Sequence, residues 1–270
     1  MMVDGPRRGP LLIIGGAERR GTTILSRFVA LAGGPDARIV VIAAASGEPE
    51  PLEAEYTSAF AGLGGGSVRA LRLATREQAN DPATAEILGA ATGVFFTGGD
   101  QRRLTSVLGG TRTDSLLQER VAAGAVVLAG TSAGAAMMSG TMIVGGDGPG
   151  VTTAAVQTEP GLEFLPGVLI DMHFAERGRL NRLLSAVALY PHELGLGIDE
   201  DTAILADGER FEVIGSGSVT VVDAGAAADI RVHANGPIAL AGARIHVLPA
   251  GYTFELTGRH PASVDPGRAA

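Results

Sequence analysis

Short apolar runs rich in β-branched residues alternate with helix-like segments through roughly the first two-thirds of the chain. That alternation is the pattern of a parallel sheet with crossover helices. Strands are predicted over residues 11–14, 38–43, 68–73, 93–97 and 125–129, with helices over 22–32, 52–63, 83–90 and 114–123 between them. Tyr56 and Phe60, four apart, mark one face of the second helix. The pattern changes after about Gly140. Residues 145–150 form a glycine-rich loop expected to be mobile, 168–170 a strand and 175–189 a helix. From Thr202 onward short strands predominate, at 203–205, 211–214, 219–222, 244–247 and 252–254. The residues after Gly258 are expected to fray. The fold expected is α/β, a mostly parallel, doubly wound sheet with a β-rich C-terminal part that completes one domain over 1–270. Such sheets place ligands at the carboxyl ends of their strands.

Composition narrows the function classes. Of 270 residues, 46% are hydrophobic and 19% charged, enough for a substantial core. No run of 18 apolar residues suits a membrane span, and the N-terminal segment lacks a signal-peptide pattern, so a cytoplasmic location is expected. The absence of cysteine removes disulfides, thiolate metal sites and a cysteine nucleophile. A net charge of −8 argues against nucleic-acid binding. Gly15-Gly16-Ala17-Glu18 follows a strand but lacks the G-x-G-x-x-G spacing, and no Walker A lysine exists. His192-Glu193 fails the HExxH pattern because Leu196 stands at the last position. No cofactor and no metal are expected.

The chemistry centres on Gly130-Thr131-Ser132-Ala133-Gly134, between the apolar run 125–129 and a short helical stretch. This G-x-S-x-G pattern suits a nucleophile elbow, and equally a serine that merely caps a helix. A nucleophilic serine needs a histidine, and the histidine a carboxylate. His173, just after the strand 168–170, reads equally as a site residue or as a hydrogen-bonded core histidine. His233, His246 and His260 fall in the β-rich tail, where solvent-facing positions are the default. Asp199, Glu200 and Asp201 supply three acids in a row, which in most proteins is a solvated turn. Ala133 and the Gly98-Gly99 pair after the strand 93–97 are candidates to offer amides to an oxyanion, and the glycine pair reads also as a plain strand-to-helix turn capped by Asp100. Arg179 and Arg182 lie three apart, a spacing that on its own favours an ordinary solvated helix face.

Taken together, these blocks resemble the cyanophycinases, serine hydrolases of the wider family that includes the α-aspartyl dipeptidases. The matching stretches are Ile14-Gly15-Gly16-Ala17-Glu18, Phe96-Thr97-Gly98-Gly99-Asp100-Gln101, Gly130 to Ala135, Asp171-Met172-His173-Phe174 with Arg177, Arg179 and Arg182 behind it, and Gly197 to Ala203. The resemblance implies a flavodoxin-like, class I glutamine amidotransferase-like sheet. It implies Ser132 as nucleophile, His173 as base, Glu200 as the orienting carboxylate, and Gly99 and Ala133 as the oxyanion hole. Gln101, Asp171, Arg177, Arg179 and Arg182 match residues that line the family's substrate pocket. The implied substrate is cyanophycin, a poly-aspartate chain with arginine on each β-carboxyl, cleaved to β-aspartyl-arginine. Asp171 would then meet the substrate guanidinium and the arginines its carboxylate. A homodimer is also implied. Two departures stand out: Met172 between the aspartate and histidine, and Arg19-Arg20 after Glu18. The rival readings are a peptidase for short aspartyl peptides and a non-catalytic peptide-binding protein.

Overall fold

The structure, a computed structural model, describes residues 8–19, 23–146, 148–234 and 236–262. Five parallel strands form its centre: β1 (Leu11–Ile14), β2 (Arg38–Ile42), β3 (Ser67–Ala70), β4 (Gly93–Phe96) and β5 (Val127–Thr131). Their spatial order is β3-β2-β4-β5-β1. Side chains alternate across this sheet, Leu12, Ile14, Ile39, Val41 and Phe95 to one face, Leu11, Ile13, Val40, Ile42 and Phe96 to the other. Both faces of β1, β2, β4 and β5 are covered, which is why these four read as largely apolar runs, whereas the edge strand β3 is mostly exposed.

Helices α1 (Thr23–Leu31) and α2 (Pro49–Gly62) cover the first face. Phe28, Tyr56, Phe60 and Phe95 stack there, with Tyr56 and Phe95 ring centres 4.7 Å apart. The other face carries α3 (Arg76–Asn80), α4 (Pro82–Ala90), α5 (Gln101–Leu108), α6 (Arg112–Ala122) and the short α7 (Ala133–Ala136). The connection from β2 therefore runs over one face and that from β4 over the opposite one. Between these adjacent strands the winding reverses, leaving a crevice at their carboxyl ends.

The second half adds mostly antiparallel structure. A hairpin of β6 (Thr141–Gly145) and β7 (Gln157–Pro160) leads to β8 (Val168–Met172), α8 (Leu180–Leu189) and β9 (Leu194–Ile198), with β8 and β9 paired parallel. Strands β10 (Thr202–Ala206) and β11 (Arg210–Gly215) extend the large sheet antiparallel from β1. Next come β12 (Ser218–Asp223), the small ribbon β13 (Asp229–Arg231) with β14 (Ala239–Ala241), β15 (Arg244–Pro249), β16 (Thr253–Glu255) and β17 (His260–Ala262). The large sheet is thus nine-stranded, and β15-β12-β9-β8 form a second sheet against its α3–α7 face.

Three expectations shift. The strand before Ser132 begins two residues later, because the Ala125 amide closes the turn after α6 on the Arg120 carbonyl. The helix expected from 175 starts at Leu180; residues 175–179 make a turn in which Gly178 adopts φ 59°. Part of the tail expected to fray pairs as β17, while residues 263–270 and Asp147 of the glycine-rich loop lie outside the described residues. Among the described residues, no helix is long and apolar enough to cross a membrane.

Candidate active site

Strand β5 ends at Thr131, and Ser132 follows with φ 51° and ψ −108°, a strained turn for a residue with a Cβ. Its amide donates to the Ile14 carbonyl at 3.0 Å, so the neighbouring strand β1 holds the bend. The flanking glycines are demanded by crowding. A Cβ on Gly130 would overlap the Gly134 carbonyl, and one on Gly134 would lie 2.8 Å from the Phe96 Cβ. Strand and helix can cross this closely only without side chains at both positions. The Ala133 amide opens α7 and has no carbonyl to meet within the helix. The Gly98-Gly99 turn after β4 lies alongside, a Cβ on Gly98 falling 3.4 Å from the Ser132 Cβ.

His173 comes from the end of β8 with φ 49°, and its amide donates to the Gly15 carbonyl at 2.9 Å. Its Nε2 stands 2.9 Å from Ser132 Oγ, and its Nδ1 2.7 Å from Glu200 Oε1. With Nδ1–H donating to the carboxylate, Nε2 is left to accept the serine proton. The ring passes so close to the chain after β1 that a Cβ on Gly16 would sit 2.6 Å from Nε2. The Gly15-Gly16 turn therefore leaves room for the histidine ring at Gly16 and for the Asp199 carbonyl at Gly15.

The three consecutive acids have separate tasks. Asp199 is buried and accepts from the Ala175 amide, the Ser218 amide and the Ser218 hydroxyl, at 3.1, 3.0 and 2.8 Å. Glu200 alone reaches the imidazole. Asp201 adopts φ 48°, donates its amide to the Gly16 carbonyl and pairs with Arg19 at 3.4 Å.

A cavity of about 550 Å³ opens beside Ser132 and His173 at the carboxyl ends of β1, β2, β4 and β5. Glu18 and Tyr56 stand in its wall. The buried Glu18 carboxylate accepts from the Tyr56 hydroxyl and, at 2.5 Å, from Thr131 Oγ1, next to the nucleophilic position. Among the described residues, no group of three His, Cys, Asp or Glu side chains is arranged to hold a metal.

A model of peptidase family S51 matches residues 11–214, which contain every element of this constellation. The chain belongs to peptidase family S51. It is 41% identical over 261 residues to a cyanophycinase of Geminocystis herdmanii, covering 94% of this chain and 96% of that one. A cyanophycinase of Trichormus variabilis is 41% identical over 257 residues, 92% of this chain and 86% of the relative. Among solved structures, a peptidase from an acI-B1 actinobacterium superposes with a TM-score of 0.69 at 22% identity, over 93% of this chain and 98% of that one. That last likeness is one of fold.

In this S51 member the residues expected to line a substrate pocket are distributed unevenly. Asp171 is fully buried, held by Arg182 through Nε at 2.9 Å and through Nη2, with Arg179 at 3.6 Å. Arg182 is buried too, and also reaches the Gly146 carbonyl at 3.3 Å. These two satisfy each other; Asp171 has no exposed edge to offer a guanidinium. Arg179 donates to the Met172 carbonyl, and Met172 is itself buried. Gln101 donates to the Ile143 carbonyl at 3.0 Å, tying α5 to β6. Arg177 is exposed in the turn behind His173. None of these five lines the cavity beside Ser132. Two lining residues had no role assigned from the sequence: Glu18, present only as the last residue of the block at 14–18, and Arg103, which lines the same cavity.

Proposed function

We propose that this protein is a serine-type exopeptidase that cleaves the poly-aspartate backbone of cyanophycin and releases β-aspartyl-arginine dipeptides. The observation that carries this reading is the continuous chain Ser132–His173–Glu200 at 2.9 and 2.7 Å on a strained elbow. The substrate follows from relatives named cyanophycinase that match over nearly their whole length. In this mechanism Ser132 Oγ attacks the backbone carbonyl carbon while its proton passes to His173 Nε2. Glu200 holds the imidazole in the receptive tautomer and stabilises the imidazolium. The amides of Gly99 and Ala133 receive the oxyanion. The C–N bond then breaks, His173 protonates the leaving amine, and water, deprotonated by His173, hydrolyses the acyl-enzyme.

The buried Asp171–Arg182 pair acts in this reading as a brace between β8 and α8, and Arg177 remains as the exposed cation on that side. The sheet is flavodoxin-like: with β2 counted first and β1 fifth, the parallel order is 2-1-3-4-5. Both sheets feed one apolar cluster, which supports a single domain. Ile245 and Val247, exposed on the outer strand β15, support a homodimer.

The test is incubation of the pure protein with insoluble cyanophycin and mass spectrometry of what dissolves. β-Aspartyl-arginine is expected, with Ser132→Ala slower by about 10⁴-fold. Normal release by Ser132→Ala would sink the mechanism. No release by a wild-type protein whose serine still reacts with a phosphonate would leave short aspartyl peptides as the substrate.

A further inference from the structure

The cavity beside Ser132 is walled by the turns after β2 and β4, and neither α8 nor Arg177, Arg179 or Arg182 lines it. Among its lining residues one is an arginine, Arg103, in the first turn of α5. The adjacent Arg102 is paired with Glu159 at 2.8 Å. The Arg103 guanidinium has no hydrogen-bond or ion-pair partner among the described residues. It reaches across to the turn that leads into α2, where a Cβ on Gly47 would lie 3.8 Å from its Nη1. The other fixed charges of the wall are negative. Glu18 stands behind the hydroxyls of Tyr56 and Thr131, and Asp100 accepts from the Arg102 amide at 2.9 Å.

A carboxylate entering this space finds a wall that is mostly uncharged, two acids at Glu18 and Asp100, and its one guanidinium at Arg103. A planar guanidinium with five donors, unpaired and beside a nucleophile, matches a carboxylate bidentately. We propose that Arg103 is a substrate-binding residue that holds a free carboxylate of the peptide in this cavity, namely the α-carboxylate of a side-branch arginine. The proposal rests on the cyanophycin reading above, in which each unit next to the scissile bond carries one such group. It makes the β4–α5 turn a determinant of specificity.

The experiment uses two synthetic trimers of β-aspartyl-arginine units, one with free arginine carboxylates and one with those carboxylates as amides. Wild type, R103A, R103K and R177A are assayed on both. A charge-assisted pair predicts that wild type prefers the free acid roughly 10- to 100-fold in kcat/KM, chiefly through KM. R103A raises KM for the free acid and loses the preference. R103K, which keeps charge without the planar fork, recovers part of it, and R177A keeps it. Retention of the preference by R103A, or its loss in R177A alone, would overturn the assignment. Equal cleavage of both trimers by wild type overturns it as well, while leaving the cyanophycin reading intact. A wild type that cleaves neither trimer nor polymer overturns that reading and this one together.

Discussion

Glu200 and Asp199 are adjacent acids whose substitutions should separate cleanly. The Glu200 side chain is partly exposed and reaches His173 Nδ1 at 2.7 Å, while its other hydrogen bonds, to Glu176 and Thr202, run through its backbone. Glu200→Gln should therefore fold normally and lower kcat by roughly 10²- to 10⁴-fold, because an amide no longer enforces the tautomer. Asp199 holds three donors inside the protein. Asp199→Asn should instead lower the melting temperature by several degrees, at about 1–3 kcal/mol for donors left badly paired. Calorimetry and steady-state kinetics on both variants check the division; a Glu200→Gln enzyme with full kcat refutes it. Spacing alone could not choose among the three acids, since only the fold shows which one turns toward the ring. The resemblance to the cyanophycinases implies Ser132, His173 and Glu200 in these roles, and the fold brings the three into one hydrogen-bonded chain. Glu18 stayed hidden because its partners, Tyr56 and Thr131, are 38 and 113 residues away.

At the level of elements, the β6–β9 region carries a titratable weakness. Glu193 precedes β9 and is buried, with one oxygen bonded to Thr141 Oγ1 at 2.8 Å and the other without a partner among the described residues. Burial pushes its carboxyl above the usual carboxylate range, and the charge of Glu163 adds to this against the opposing pull of Thr141 and His192. A raised carboxylate pKa means that the unfolded chain releases its proton first. Stability from this group is full below the unfolded pKa and is lost as the pH rises through the folded one. Glu193→Gln should thus melt higher than wild type at pH 8, with the difference vanishing below about pH 4, where the carboxyl is neutral in both states. An unchanged difference across that range, followed by thermal unfolding, rules the account out. The same region shows where pattern reading stopped. The doubly covered parallel strands were legible as apolar runs, but β9 reads Leu-Gly-Leu-Gly-Ile. Its glycines are small because α8 and Phe174 press on that face: Cβ atoms there would meet Val187, Leu183 and the Phe174 ring within 3 Å. Helix α5 was missed because only Leu104 and Leu108 of its eight residues are buried.

For the molecule as a whole, the family match ends at Ile214, yet the core does not. Val219 and Val221 of β12, Leu248 of β15 and Phe254 of β16 enter the same apolar cluster as β1, β2 and β4. Strand β12 also stands inside the second sheet, between β9 and β15, so its loss would expose an edge of β9. Its first residue, Ser218, supplies two of the three donors on Asp199, the neighbour of Glu200. The tail therefore reaches the catalytic turn through Ser216, Gly217 and Ser218 together, Ser216 donating to Asp201 and Gly217 to Thr202 Oγ1. Burying an aliphatic or aromatic side chain is worth about 1.5–3 kcal/mol, so these four alone contribute roughly 6 kcal/mol or more. A domain's whole stability is typically about 5–15 kcal/mol. A chain ending at residue 214 should accordingly lack a cooperative thermal transition, whereas the full chain should unfold in one step by circular dichroism and calorimetry alike. Two separate transitions in the full chain, or a folded and active 1–214 fragment, would show that the β-rich tail is an independent unit. A single transition, with activity lost alongside it, is what a tail built into both the core and the catalytic turn requires.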